Sequence, residues 1–184
     1  VFTFEQTIAK GEAILSLAKQ HQEQSQVLSA CAAIIMAAAL EQATWSVLVN
    51  TVANAEIEGD DPKPYTDLMK ASLRQRIKEI PRLLTKGKMQ FNDCSNHAKS
   101  LLKLLSFRNA LLHINEDVVV MNEADSRVRI EKDKYSIKIP KTQSLWDRVT
   151  PAEASQFRDA VSIYIREVLK PEHIRPGEIV RRSR

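Results

Sequence analysis

Glycine, cysteine and aromatic residues are scarce in this chain. Only 4 of its 184 residues are glycine and 5% are aromatic, so a glycine-rich phosphate loop, a dinucleotide-binding turn and a repeat-built β architecture are not expected. The two cysteines, Cys31 and Cys94, lie far apart, and neither a CxxC nor an HExxH spacing occurs. The sequence therefore predicts no metal site and no cofactor, and a reducing compartment, the cytoplasm.

Long hydrophobic runs and a large excess of one charge are also missing. The longest apolar run, Val27 to Leu40, spans 14 residues and ends at Glu41, whereas a membrane span needs about 20 residues. We therefore expect no membrane association, and no signal peptide is recognisable. The 27 basic and 23 acidic residues leave a net charge of +4, which weakly favours a polyanionic partner.

Apolar residues recur at helical spacing through most of the chain. Thr3 with Gln6, and Thr150 with Pro151 and Glu153, have the pattern of helix starts with capping boxes. The Ala-rich second helix is expected to be the central buried helix, with Trp45 as a core or interface anchor. Helices are predicted over residues 3–22, 25–54, 66–85 (kinked or interrupted at Pro81), 92–114 and from 151 to Pro171, with a loop over 56–64.

The segment before the last helix has a different spacing of apolar residues. Asp117–Met121, Arg127–Glu131 and Tyr135–Ile139 are short and rich in β-branched residues, which predicts a small antiparallel hairpin or meander inserted over residues 116–140. The predicted fold is thus all-α: a bundle of four to five helices in one domain, residues 1–170, with this β insertion. The basic tail, 171–184, is expected to be mobile.

The third predicted helix carries many basic residues, which we place on its outer face: Lys70, Arg74, Arg76, Lys78, Arg82, Lys86 and Lys88. Such a face is usually just solvated, and by itself this pattern favours that interpretation. The functional alternative is a surface that contacts phosphates. Arg74, Lys78 and Arg82 are the candidate RNA- or phosphate-binding residues in that case.

The stretch LLSFRNALLHINED places Arg108, Asn109 and His113 near the end of a strongly apolar helix. Asn109 and His113 lie one turn apart on the same face, whereas Arg108 and His113 are about 140° apart around the axis. One helix therefore cannot easily hold a small anion between Arg108 and His113. Two copies that cross at a two-fold axis could line a shared cleft with both pairs, so the spacing favours a homodimeric site.

The string Arg108-Asn109-Ala110-Leu111-Leu112-His113 resembles the signature of the HEPN family: arginine, a polar residue, three further residues and histidine near the end of a late helix. The arrangement of helices over roughly residues 25–170 is similar to that family as well. The resemblance implies a metal-independent endoribonuclease that acts as a homodimer, such as a toxin or a defence or stress effector. It also implies RNA as a partner, with a cognate antitoxin or nucleotidyltransferase.

The chemistry of these residue types fits RNA cleavage. RNA supplies its own nucleophile, the 2′-OH. His113 would act as the general acid and base, and Arg108 would stabilise the dianionic phosphorane. Asn109 would orient His113 or donate a hydrogen bond to a phosphate oxygen. The products would be a 2′,3′-cyclic phosphate and a 5′-hydroxyl.

Glu41, the one charge within the Ala-rich helix, has two interpretations of equal weight. It is either exposed or paired with a lysine, or it reaches across the bundle to orient Arg108 or His113, since a lone buried carboxylate would be costly. Two other functions stay open for the whole chain. It could be a non-catalytic HEPN-like module that binds RNA, a nucleotide or a protein, or a helical scaffold in which Arg108 and His113 are structural.

Overall fold

The structure, a computed structural model, describes residues 3–112, 128–131, 134–137 and 148–169. These residues are mainly helical, in agreement with the predicted all-α class. A 3₁₀ turn, Gln22–Gln24, joins the first two helices. The helices are α1 (Phe4–Gln20), α2 (Ser25–Glu58), α3 (Lys63–Lys70), α4 (Leu73–Leu84), α5 (Asn96–Leu112) and α6 (Pro151–Val168).

The long helix α2 is the centre of the bundle, as predicted, and it contacts each of the other five described helices. Its small alanine side chains let neighbouring backbones approach closely. Gly11 of α1 serves the same purpose, because a Cβ at that position would lie 2.6 Å from Cε of Met36. A single hydrophobic core draws buried residues from all six helices, among them Leu15, Leu40, Leu68, Ile77, Leu104 and Phe157.

The predicted starts of α1 and α6 are confirmed, and capping residues mark both of them. Thr3 and Gln6 form a complete capping box at the start of α1. Thr150 and Glu153 form another at α6, with Pro151 in the first turn. In each box the threonine hydroxyl accepts from a backbone N–H while the second side chain accepts from the threonine N–H, so two helix-end donors are satisfied.

The predicted third helix is wrong in one respect, since it is two helices. The chain leaves α3 at Ala71, which is extended, and Ser72 then accepts a hydrogen bond from the Gln75 N–H to begin α4. The break therefore lies at a serine N-cap rather than at Pro81, which is buried inside α4. The predicted loop 56–64 is also shorter, because α2 continues to Glu58 and ends at Gly59, whose φ of 76° suits glycine.

Two short strands lie within the range predicted for the β insertion. β1 (Val128–Glu131) and β2 (Lys134–Ile137) pair antiparallel, with Val128 opposite Ile137 and Glu131 opposite Lys134. The third predicted strand, 117–121, and the predicted tail, 171–184, lie outside the described residues.

Judged by length and composition alone, the helical stretch Gln22–Glu58 is long and apolar enough to cross a membrane. The 14-residue run from Val27 to Leu40 is only part of this stretch, because apolar residues continue beyond Glu41. A core helix passes the same test, and 56% of the most apolar window is buried inside the bundle. The stretch is therefore weak evidence for a membrane span.

Candidate functional site

Glu41 joins two arginines that come from two other helices. Its Oε2 accepts a hydrogen bond from Nη2 of Arg108 on α5 at 2.9 Å, and its Oε1 accepts one from Nη2 of Arg76 on α4 at 3.2 Å. Asn109 Oδ1 accepts from Nη1 of Arg108 at 3.2 Å. The Arg76 guanidinium lies over the Trp45 ring, 5.7 Å from its centroid. We call these five residues the Glu41 cluster.

The apolar faces of the helices bring the cluster together. Glu41 follows the buried Leu40 on α2 and is itself half-exposed, at the edge of the core-facing surface. Arg108 lies four residues after the buried Leu104 and seven after the buried Leu101. That spacing continues the apolar face of α5. The stem of Arg108 thus follows the core side of the helix while its charged end reaches Glu41 at the rim. Of the two interpretations of Glu41, the structure has the contact with Arg108.

The prediction that Arg76 lies on the outer basic face is wrong, because its side chain is only 7% exposed. The spacing explains the error: Arg76 comes three residues after Leu73 and four before Ile80, both buried, so it lies on the core-facing side of α4. This 3–4 pattern is visible in the sequence and would have separated Arg76 from its basic neighbours.

Two nitrogens of Arg76 have no hydrogen-bond partner in the part of the chain that the structure describes. Nε and Nη1 are both buried and unpaired, while Nη2 contacts Glu41. Burial of unpaired guanidinium donors is costly, and stacking on an indole compensates only in part. Trp45 itself is 45% exposed, so it is not part of the core, and the alternative that it anchors an interface stays a prediction. The ring instead covers the Arg76 guanidinium at the edge of the bundle.

The cluster carries a net positive charge, because two guanidinium groups share one carboxylate. The Arg108 side chain is 29% exposed and that of Glu41 38%, which makes this surface attractive to a phosphate or another anion. A cation would meet repulsion from both arginines at Glu41. Within the ranges that the structure describes, no group of three or more potential metal-ligating side chains occurs.

The candidate phosphate-binding residues of α4 lie on one face but differ in their partners. Arg74 is exposed, Lys78 pairs with Asp93 at 2.8 Å and Arg82 pairs with Glu79 at 3.0 Å. Arg76, two positions after Arg74, points about 200° around the helix from it. The two ion pairs lower the net charge of this face, and its role in binding phosphate stays a prediction.

The three motif residues have different outcomes. Arg108 and Asn109 are in direct contact, and Arg108 also contacts Glu41. Asn109 is exposed and accepts from the guanidinium through its carbonyl oxygen. His113 follows the last residue of α5 and lies outside the described residues. Its predicted place beside Arg108 of a second subunit stays a prediction.

The comparisons with known proteins supply no family. No protein-family model, no curated protein and no solved structure matches this chain. The motif and the Glu41 cluster are therefore the two observations on which a function can be argued.

Proposed function

We propose that this protein is a metal-independent endoribonuclease of the HEPN type that acts as a homodimer. Arg108 stabilises the phosphorane, His113 transfers protons and Asn109 assists them. Glu41 supports Arg108 from the neighbouring helix. RNA is the substrate, a cognate antitoxin or nucleotidyltransferase is the partner, and the cytoplasm is the site of a toxin, defence or stress function.

The observation that carries the proposal is the ion pair between Arg108 and Glu41. The motif arginine is neither buried in the core nor free on a flexible stem, because Glu41 on α2 fixes its charged end at the rim of the bundle. A guanidinium held in place before the substrate arrives stabilises developing negative charge without reorganisation. The Glu41 cluster therefore has the preorganised positive charge that phosphoryl chemistry needs.

The proposed reaction needs only proton transfer and charge stabilisation from the protein. A neutral imidazole of His113 takes the proton of the ribose 2′-OH while the 2′-oxygen attacks phosphorus. Arg108 donates to the non-bridging oxygens as their charge develops. A protonated imidazole then gives a proton to the 5′-oxygen as the P–O5′ bond breaks. The products are a 2′,3′-cyclic phosphate and a 5′-hydroxyl, and the two subunits supply the two imidazoles.

One observation favours a second function, a non-catalytic module that binds RNA, a nucleotide or a protein. Arg108 already donates to both Glu41 and Asn109, as a structural arginine would. In that case the cluster binds an anion through its net charge but cleaves nothing. The two functions differ in whether loss of His113 changes a chemical step.

An RNA-cleavage assay in the presence of EDTA tests the proposal. The parent protein, His113→Ala and Arg108→Ala are incubated with single-stranded RNA, and the termini of the products are identified. We expect cyclic phosphate and 5′-hydroxyl ends from the parent and none from either variant, while circular dichroism shows that both variants are folded. Cleavage that persists in His113→Ala, or that requires added metal, contradicts the proposal; RNA binding without cleavage by the parent supports the second function.

A further inference from the structure

Arg76 is a charged residue in a position that packing alone does not explain. Its side chain is only 7% exposed, and Nε and Nη1 have no hydrogen-bond partner among the described residues. An apolar side chain of similar volume would avoid this cost at the same place between Leu73 and Ile80. The hydrogen bond from Nη2 to Glu41 is the interaction that an apolar side chain could not replace here.

That hydrogen bond is made to the same carboxylate that accepts from Arg108. The Glu41 carboxylate is half-exposed, and with one partner it could rotate into water. Arg76 takes Oε1, so Oε2 faces Arg108. Two donors on opposite oxygens fix the plane of a carboxylate, which a single donor does not.

The indole of Trp45 fixes Arg76 in turn. Trp45 lies four residues after Glu41 on α2, so the two side chains project from the same face of the helix. Its ring covers the Arg76 guanidinium. The guanidinium therefore has contacts with both the indole and the carboxylate.

From this geometry we infer that Arg76 is a positioning residue: through Glu41 it holds the Arg108 guanidinium in the orientation in which it meets an RNA phosphate. This inference rests on the proposed function for its consequence in catalysis. Its structural part, the control of Arg108 by Arg76, can be measured without any RNA. Arg76 itself is too deeply buried to contact the substrate.

The first experiment measures the order of the Arg108 side chain. Hydrogen bonds slow rotation of a guanidinium about its Nε–Cζ bond, which separates its Nη–H signals in low-temperature NMR spectra. We expect separated Arg108 signals in the parent, assigned by their loss in Arg108→Lys, and averaged signals in Arg76→Met. The control is Arg158→Met, which removes an arginine that pairs with its own neighbour Asp159 and should leave Arg108 unchanged. Averaged Arg108 signals in the parent, or unchanged ones in Arg76→Met, overturn the inference.

The second experiment links this order to RNA cleavage. In Arg76→Met we expect kcat to fall about 10- to 100-fold with a smaller change in KM, because Arg108 is present but misaligned. Arg76→Lys, which restores one donor, should recover part of the loss and also serves if Arg76→Met does not fold.

The two experiments separate the two proposals. If the parent does not cleave RNA, the proposed nuclease function fails, while the NMR comparison still decides whether Arg76 holds Arg108. If Arg76→Met releases Arg108 but kcat is unchanged in an active enzyme, the positioning role in catalysis is overturned.

Discussion

The Tyr164 hydroxyl on α6 donates a hydrogen bond of 2.9 Å to the Ile77 carbonyl oxygen on α4. Within an α-helix that carbonyl would accept from the N–H of residue 81, but residue 81 is proline and has no N–H. Pro81 therefore leaves a buried acceptor inside α4, and Tyr164 satisfies it from the neighbouring helix. The proline that was expected to interrupt the helix instead creates a specific link between α4, which carries Arg76, and α6.

A double-mutant cycle tests this link. Tyr164→Phe should lower the free energy of unfolding by about 1–3 kcal/mol, because it leaves the Ile77 carbonyl buried without a partner. In a Pro81→Ala background the new N–H of residue 81 restores the helical hydrogen bond, so the same change should cost about half or less. Urea unfolding of the four proteins measures both values. Equal costs in the two backgrounds would show that Pro81 and Tyr164 are not coupled.

The buried Tyr164 hydroxyl should also make the protein less stable at high pH. Burial raises the pKa of the Tyr164 hydroxyl well above its usual value near 10, since the phenolate would lose its hydration. Because this pKa is raised in the folded state, the protonated hydroxyl makes its full contribution to the free energy of unfolding below pH 10. This contribution is lost as the pH rises towards the folded pKa. The fall in the free energy of unfolding above pH 10 should be smaller in Tyr164→Phe. Tyr65→Phe, at a half-exposed position on α3, is the control.

The stabilisation that the ionised Glu153 carboxylate provides should be lost in acid. The hydrogen bond from Lys103, followed by one from the Thr150 N–H, lowers the pKa of the Glu153 carboxyl below its ordinary 4.5. A lowered pKa in the folded state stabilises the protein above about pH 4.5, and this contribution is lost as the pH falls through the folded pKa. Glu153→Gln keeps the capping geometry and removes the charge, so it should cost about 0.2–1 kcal/mol at pH 7, and this cost should shrink as the pH falls from 7 to 2. A constant difference across this range of urea-unfolding measurements would contradict the assignment.

Replacement of the Glu41 carboxylate should lower the stability of the protein more than replacement of an ordinary surface carboxylate. Glu41→Gln removes the charge that Arg76 and Arg108 share, so a buried guanidinium is left facing a second one. We expect the free energy of unfolding to fall by about 1–3 kcal/mol, less than for a fully buried pair because Glu41 is half-exposed. Asp93→Asn is the matched control: it breaks the exposed pair with Lys78 and should cost less than about 1 kcal/mol. Similar costs for both would mean that the Glu41 cluster is an ordinary surface network.

The basic face of α4 predicts a graded effect on RNA binding. Arg74→Ala should weaken binding of a non-cleavable 2′-O-methyl RNA and lower the slope of log K against log salt by about 0.7, the value for one phosphate contact on a single strand. Lys78→Ala should have a smaller effect, since Asp93 already neutralises that lysine. Lys19→Ala on α1 is the control for total charge. Fluorescence anisotropy at several salt concentrations gives the slopes, and an unchanged slope in Arg74→Ala would exclude this face from the RNA path.

The helices could be predicted because their signals are local. The capping boxes at Thr3 and Thr150 satisfy donors within one turn, so each marks a start whatever the rest of the chain does. The Ala-rich run likewise identified α2 as the central helix. The break before α4 was missed because its signal, Ser72, is a single residue within an apolar period that continues across it.

The candidate site was only partly predictable. The motif picked out Arg108 and Asn109, and the isolated charge of Glu41 marked it as a residue in need of a partner. Nothing local states which arginine provides that partner, because Glu41 contacts residues 35 and 67 positions away. The prediction for Arg76 followed residue type, although the spacing to Leu73 and Ile80 indicates burial. For Trp45 nothing local decides between the core and an interface, and the ring is 45% exposed and lies against Arg76.

The sequence by itself determined where α1, α2 and α6 begin and which of their faces are apolar, since both follow from contacts within a few residues. Only the tertiary structure decided that α2, α4 and α5 approach at Glu41, so that one carboxylate holds two guanidiniums. Helical periodicity fixes the direction of a side chain around its own axis. The packing of the other helices then sets what that side chain meets, and so whether a charge is solvated, paired or confined.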